Sequence, residues 1–206
     1  MTWWTEHVVP RVTDIALRGR EIGESRVRAC AGLSGRVLEI GFGSGLNLLH
    51  LPAEVTGIGA VEPSDLGWSM SDRRRARSEV PVDRIGVDGQ QIEAPDASYD
   101  AALCTFTLCT IPDPLAALAE VRRVVRPGGT LHFLEHGRSH DPGVARWQRR
   151  LDPLQQRVAG GCHLTRDAGA LVEQAGMRLR SLETGALPGF SGPAALTFGY
   201  LGVAAV

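Results

Sequence analysis

The sequence predicts an α/β fold in which a mostly parallel sheet lies between two layers of helices. Apolar runs of strand length alternate with segments of helical length along most of the 206 residues. One such run, "RVLEI", leads straight into "GFGSG", with glycines at Gly41, Gly43 and Gly45 opening a helical segment. Further on, "PDPLAALAEVRRVVRPGG" has the boundaries of a helix, and strand alternation resumes after it in "TLHFLEH".

Taken in order, the first helix is expected near 10–31, where charges interrupt an apolar pattern, and the first strand near 36–40. A helix near 45–50 follows the glycines, a strand near 55–61 ends in "VEPS", and a helix near 65–79 carries the run "DRRRARSE". Strands are expected near 82–87 and 99–105, separated by the turn "VDGQ". The helix near 113–126 is the clearest, with Asp113 as its cap, Pro114 in its first turn and Pro-Gly-Gly at its end. A strand near 129–135, helices near 143–158 and 166–176, and strands near 177–184 and 194–203 complete seven strands. The tail "PGFSGPAALTFGYLGVAAV" is punctuated by glycine and proline, so it reads as a buried strand or hairpin. Ligands of open α/β sheets bind beyond the carboxyl ends of the strands, so the two long extra segments, residues 1–31 and 137–165, are expected to cover that end as lids.

The length suits one well-cored domain spanning residues 1–206. Its 22 basic and 23 acidic side chains give a net charge of −1, which provides no field to gather nucleic acid or an anionic membrane. Residues 1–23 have neither a signal-peptide core nor the roughly 20 apolar residues of a span, so no transmembrane segment is expected. Cys30, Cys104, Cys109 and Cys162 lack paired spacing, which fits a reducing, cytoplasmic setting. Either a monomer or a homodimer is compatible with the composition.

The glycine spacing carries chemical information. A dinucleotide turn reads G-x-G-x-x-G and receives a pyrophosphate on bare N–H groups. Here it reads G-x-G-x-G, with Glu39 two residues ahead, and that carboxylate would repel a pyrophosphate but attract a cation. S-adenosylmethionine fits, since it has an ammonium and a sulfonium and no phosphate. Glu62 ends the second strand about 20 residues later, where an acid can accept both ribose hydroxyls. Asp88 can accept from an adenine amino group, and Gly89 and Gln90 can offer backbone N–H groups to the ring.

As a set, E-x-G-x-G-x-G, V-E-P, V-D-G-Q and "SYDAALCTFTL" resemble the class I S-adenosylmethionine-dependent methyltransferases over roughly residues 35–136. The resemblance implies a Rossmann-like, doubly wound seven-stranded sheet in the order 3-2-1-4-5-7-6, its last strand antiparallel. It also implies cofactor roles for Glu39, Gly41, Phe42, Gly43, Gly45, Glu62, Pro63, Asp88, Gly89, Gln90 and Thr105. Over residues 104–176, "CTFTLCTIPDP", "LHFLEHG" and "WQRRLDPLQQRVAGGCHLTRD" are similar to the methyltransferase-like proteins that act as alkyl-thiol S-methyltransferases. That family has an apolar N-terminal membrane segment which residues 1–31 lack.

The similarity implies a small-molecule methyl acceptor, by preference a thiol. The alternative is N- or O-methylation of a small metabolite or a phospholipid amine. In-line methyl transfer asks mainly for alignment, and a thiol of pKa about 8.5 gains from a base that favours its thiolate. His136, at the exit of the fifth strand, is the candidate catalytic base, and capping that strand is its structural alternative. His163 is a weaker second candidate, expected instead to order the lid with Arg166, whose plain reading is a salt bridge to Asp152 or Asp167. The cysteines and histidines lack the tight pairs of zinc sites, so packed thiols and no metal are expected. The basic run at 72–79 reads as a solvated face, and Trp3, Trp4 and His7 either close over a ligand or dock the first helix.

Overall fold

The computed structural model describes residues 3–190 and 192–206. Its first helices are α1 (Trp3–His7), α2 (Val9–Leu17) and α3 (Arg20–Cys30), followed by β1 (Gly35–Ile40). β2 (Val55–Val61), α4 (Asp65–Met70), α5 (Asp72–Arg75), β3 (Val82–Gly86) and β4 (Tyr99–Thr105) come next. Then follow α6 (Pro114–Val124), β5 (Val125–His136), α7 (Pro142–Val158), α8 (Ala168–Gln174), β6 (Arg178–Ala186) and β7 (Phe198–Ala205).

The seven strands form one sheet in the order β3-β2-β1-β4-β5-β7-β6. β7 runs antiparallel to both neighbours, and the other pairs are parallel. Fold class, strand order and the reversed last strand all agree with the sequence expectation. The central strands are buried on both faces, as parallel strands under two helix layers must be. On one side Leu38, Ile40, Cys104 and Phe133 pack with Leu118 and Val121 of α6 and Val172 of α8. On the other, Val37, Leu103 and Ala60 meet Cys30 of α3, Phe42 and Trp68 of α4.

Strand periodicity therefore sends Glu39 to the α3 side with Val37, and Thr105 to the same side with Leu103. The register pairs Glu39 with Leu103, which places the two polar side chains close together at the strand ends.

Helix boundaries depart from the sequence expectation where local chemistry interrupts them. The segment expected as one helix from 10 to 31 breaks at Arg18 and Gly19, and extended backbone at Gly19 starts α3 afresh. The helix expected at 45–50 is a single 3-10 turn, Leu46–Leu49. The one expected at 65–79 divides into α4, capped by Ser64, and the single turn α5. β5 begins at Val125, earlier than expected, and its register to β4 jumps between Tyr99 and Ala101 where Pro127, Gly128 and Gly129 intervene. The strand expected at 194–203 opens instead with a 3-10 turn at Ala194–Leu196.

The two extra segments meet each other: Trp4 Nε1 donates to the carbonyl of Val158 at the end of α7 (3.0 Å). Trp4 thus docks the first helix on α7, whereas Trp3, 70% exposed, stacks on His7 of its own helix. Among the described residues no helix is long and apolar enough to cross a membrane.

Candidate active site

The turn after β1 is built around backbone that side-chain-bearing residues rarely adopt. Gly41, Gly43 and Gly45 lie at φ +76°, +56° and +74°, and a Cβ on Gly41 would overlap the Thr107 side chain. Phe42 turns inward against Trp68 (5.4 Å between centroids), so its backbone rather than its ring faces the turn.

Glu62 is gripped from two sides, its carboxylate accepting from the Gly43 N–H (2.6 Å) and the Ser64 N–H (2.8 Å). Burial pushes its carboxyl up, and those two amides oppose the shift. Pro63 lies exposed beyond it. Asp88 Oδ1 accepts from the backbone N–H and the side-chain amide of Gln90 (2.9 and 3.0 Å), while Gln90 Oε1 receives the Asp113 N–H (2.8 Å). Gly89 packs so closely that a Cβ would come 2.6 Å from Ile40 Cγ2.

A buried polar cluster joins β1, β4, α3 and the 3-10 turn. Asn47 Nδ2 donates to Glu39 Oε1 (2.8 Å) and to Thr105 Oγ1 (2.9 Å). Arg26 Nη1 donates to Asn47 Oδ1 (2.6 Å) and to Thr105 Oγ1 (3.0 Å). Burial pushes Glu39 up to about 7, with Asn47 and Arg26 pulling the other way. Burial also lowers Arg26 to about 10, against the attraction of Glu39, which leaves it cationic at neutral pH.

Glu39 Oε2 and Arg26 Nε are enclosed and have no hydrogen-bond partner among the described residues. An orphaned acceptor and an orphaned donor in one cluster suit a zwitterion. The amino-acid end of S-adenosylmethionine is one, so the residues fit that cofactor. The sequence indicated only the anionic half of this arrangement. Arg26 was missed because it is one of several arginines on an N-terminal helix, whereas Asn47, a polar residue two places beyond Gly45, offered a readable signal.

His136 is buried at the exit of β5, with Nδ1 3.4 Å from Cys162 Sγ. Its Nε2 is enclosed and has no partner among the described residues. Its ring lies parallel to Phe190 (6.4 Å), Phe190 faces Phe106 (6.0 Å), and Arg26 sits over Phe106 (5.4 Å). An aromatic wall thus connects the Arg26 cluster to His136. Phe106 holds φ +56°, a rare conformation for an aromatic residue and one concentrated at functional sites.

The neighbouring Glu135 accepts the N–H groups of Thr107 and Leu108 (2.9 Å each) and of Cys109 (3.2 Å). Burial pushes it up to about 7 against these bonds.

The lid residues differ in detail from expectation. Arg166 donates to the carbonyls of Leu108 (2.7 Å), Ile111 (2.6 Å) and Pro112 (3.2 Å), so it fastens the loop after β4 rather than pairing with Asp152 or Asp167. Asp152 instead accepts the Leu164 N–H (2.6 Å) and stands 3.6 Å from His163 Nδ1. His132 is tied to the Ala29 carbonyl (2.9 Å). The basic run is more than a solvated face, because Arg74 reaches the Ser44 carbonyl (2.8 Å) and Asp14 (3.0 Å), and Arg75 covers Trp68.

Comparison with known proteins agrees with this geometry. The methyltransferase-domain family matches residues 38–133. Thiol S-methyltransferase TMT1B of Rattus norvegicus is 35% identical over 161 residues, covering 73% of this chain and 64% of that protein. Human thiol S-methyltransferase TMT1A is 31% identical over 185 residues, covering 84% of this chain and 74% of that protein. A crystal structure of an S-adenosylmethionine-dependent methyltransferase from Thermotoga maritima superposes with TM-score 0.66 at 20% identity, over 95% of this chain and 94% of that one, and so shows the shared fold. With its strand order, its glycine turn and these relatives, the chain belongs to the class I S-adenosylmethionine-dependent methyltransferases, in the branch that resembles the thiol S-methyltransferases.

Proposed function

We propose that the chain methylates the sulfur of a small thiol, using S-adenosylmethionine as donor. When bound, that cofactor supplies an electrophilic methyl group, so a sulfur–carbon bond to the acceptor forms as the methyl–sulfonium bond breaks. Arg26 and Glu39 would hold the carboxylate and ammonium of its amino-acid end, Glu62 the ribose, and Asp88, Gly89 and Gln90 the adenine. The glycine turn and Thr105 would line the path between them.

The observation that carries the acceptor side is the buried Nε2 of His136, without a partner among the described residues, at the end of an aromatic wall leading from the cofactor residues. A neutral imidazole there takes the acceptor's proton, and the apolar surroundings keep water from competing. Similarity to the thiol S-methyltransferases supports sulfur as the accepting atom. Residues 3–31 and 137–165 act as the lid, which their mutual contact at Trp4 and Val158 supports.

The test is an acceptor panel of small thiols, phenols and amines with methyl-labelled cofactor. Thioether products are expected, and methylation of amines or phenols alone would refute the choice of sulfur. His136→Ala should lower kcat by about a hundredfold and leave S-adenosylhomocysteine affinity within about twofold. Unchanged turnover would remove His136 as the base.

A further inference from the structure

Behind His136 lies a second buried group that the proposed chemistry has not yet used. Cys162 Sγ is 3.4 Å from His136 Nδ1, and Cys109 Sγ, 3.4 Å from Thr110 Oγ1, is close enough to Cys162 for the two thiols to affect each other's ionisation. All three residues are more than nine-tenths buried. The arrangement is held from several directions. Glu135 binds the Cys109 N–H, Arg166 grips the loop carbonyls at Leu108 and Ile111, and the His163 N–H donates to the Cys109 carbonyl (2.7 Å).

We infer that Cys162 is a positioning residue, a thiolate whose sulfur accepts the His136 Nδ1–H and thereby leaves the Nε2 lone pair facing the acceptor. The inference rests on the proposed thiol methylation for its chemical use, but the hydrogen-bond geometry is independent of it.

The protons balance as follows. At rest the Cys162 proton is in solvent, Cys109 keeps its own, and His136 is neutral with its proton on Nδ1. When an acceptor thiol enters, its proton moves to Nε2 and the ring becomes an imidazolium paired with the Cys162 thiolate. The acceptor sulfur is left as a thiolate, and after transfer the Nε2 proton passes to solvent. No oxidant or reductant is needed. A carboxylate fills the corresponding place in the serine-hydrolase triad, where it fixes the imidazole tautomer.

The charged surroundings agree with a thiolate at one sulfur and a thiol at the other. The neighbouring Cys109 thiol draws Cys162 below the usual thiol range, burial opposes this, and His136 assists. Cys109 is driven well up by its Cys162 neighbour and by burial. The other ionisable groups that act here are Glu135, whose charge raises Cys109, Arg166, which burial lowers against the attraction of Cys109, Cys162, Glu135 and Asp152, and His163, 3.6 Å from Asp152.

The decisive measurement is nitrogen-15 NMR of the histidine side chains in the S-adenosylhomocysteine complex of the full chain. A proton on Nδ1 and a bare Nε2 at His136 is the expected result, and a proton on Nε2 instead overturns the inference. Thiolate ultraviolet absorbance at neutral pH should be present in the native protein and lost in Cys162→Ser. In that variant a hydroxyl donates to Nδ1 and reverses the tautomer, so kcat should fall by about tenfold to a hundredfold at unchanged S-adenosylhomocysteine affinity. Cys162→Asp should restore much of the rate, because a carboxylate accepts the same proton. Full activity and an unaltered tautomer in Cys162→Ser would overturn the assignment. The tautomer is read without any acceptor, so an acceptor panel that yields no thioether removes the proposed substrate while the His136 orientation is still decided.

Discussion

Glu39 is the residue whose environment says most about ligand binding. Burial holds its carboxyl near 7, above the ordinary 4.5, so the folded protein binds a proton there that the unfolded chain releases. Ionising Glu39 therefore costs stability as the pH rises from about 4.5 through 7, the reverse of a salt-bridged carboxylate. A ligand ammonium placed against its orphaned Oε2 reverses that preference and favours the ionised form. S-adenosylhomocysteine affinity should accordingly rise between about pH 5 and pH 7 and then level off, with proton release near pH 6. Calorimetry in buffers of different ionisation enthalpy measures that release, and Glu39→Gln should abolish it. Proton-neutral binding by the native protein would show that the ammonium sits elsewhere. Glu39 was legible in the sequence from its place before the glycines. Its partner Arg26 was not, because the pairing spans two elements that only the fold brings together.

At the scale of elements, α6 and β5 show two ways in which a short segment is fixed. α6 is defined locally: Asp113 accepts from the N–H groups of Leu115 and Ala116 (3.0 and 3.1 Å), and Pro114 needs no donor. Both features are sequence features, and the helix lies within two residues of its expected bounds. The loop after β4 is defined remotely, by Glu135 of β5, whose carboxylate gathers three consecutive amides. Replacing Glu135 with Ala should leave those donors unsatisfied, lower unfolding free energy by about 3 kcal/mol and speed amide exchange at Thr107, Leu108 and Cys109. Denaturant unfolding and hydrogen exchange test this, and native protection in the variant would show that another group holds the loop. The sequence places Glu135 at a strand end but cannot indicate which loop it serves.

Across the whole molecule, the N-terminal helices are linked to the cofactor turn through one buried acid. Asp14 of α2 accepts from the Ser44 hydroxyl (2.6 Å) and pairs with Arg74 (3.0 Å), which also binds the Ser44 carbonyl. α2, α5 and the glycine turn are therefore tied together, and Trp4 carries the connection on to α7. Asp14→Ala should loosen this cover and weaken S-adenosylhomocysteine binding about tenfold, roughly 1.4 kcal/mol, chiefly through faster release. Unaltered release kinetics would separate the N-terminal helices from any gating role.

The sequence by itself determined the α/β class, the strands to within a few residues and the glycine turn, because continuous apolar runs of strand length, proline and glycine stops and positive φ are local physics. The strand order came from the family resemblance. Tertiary structure alone decided which distant side chains share a buried volume: Arg26 with Glu39, Glu135 with the Cys109 loop, and Cys162 with His136. Each of those pairings depends on desolvating polar groups together, and the cost of burying one without its partner is a property of three-dimensional packing that no local pattern encodes.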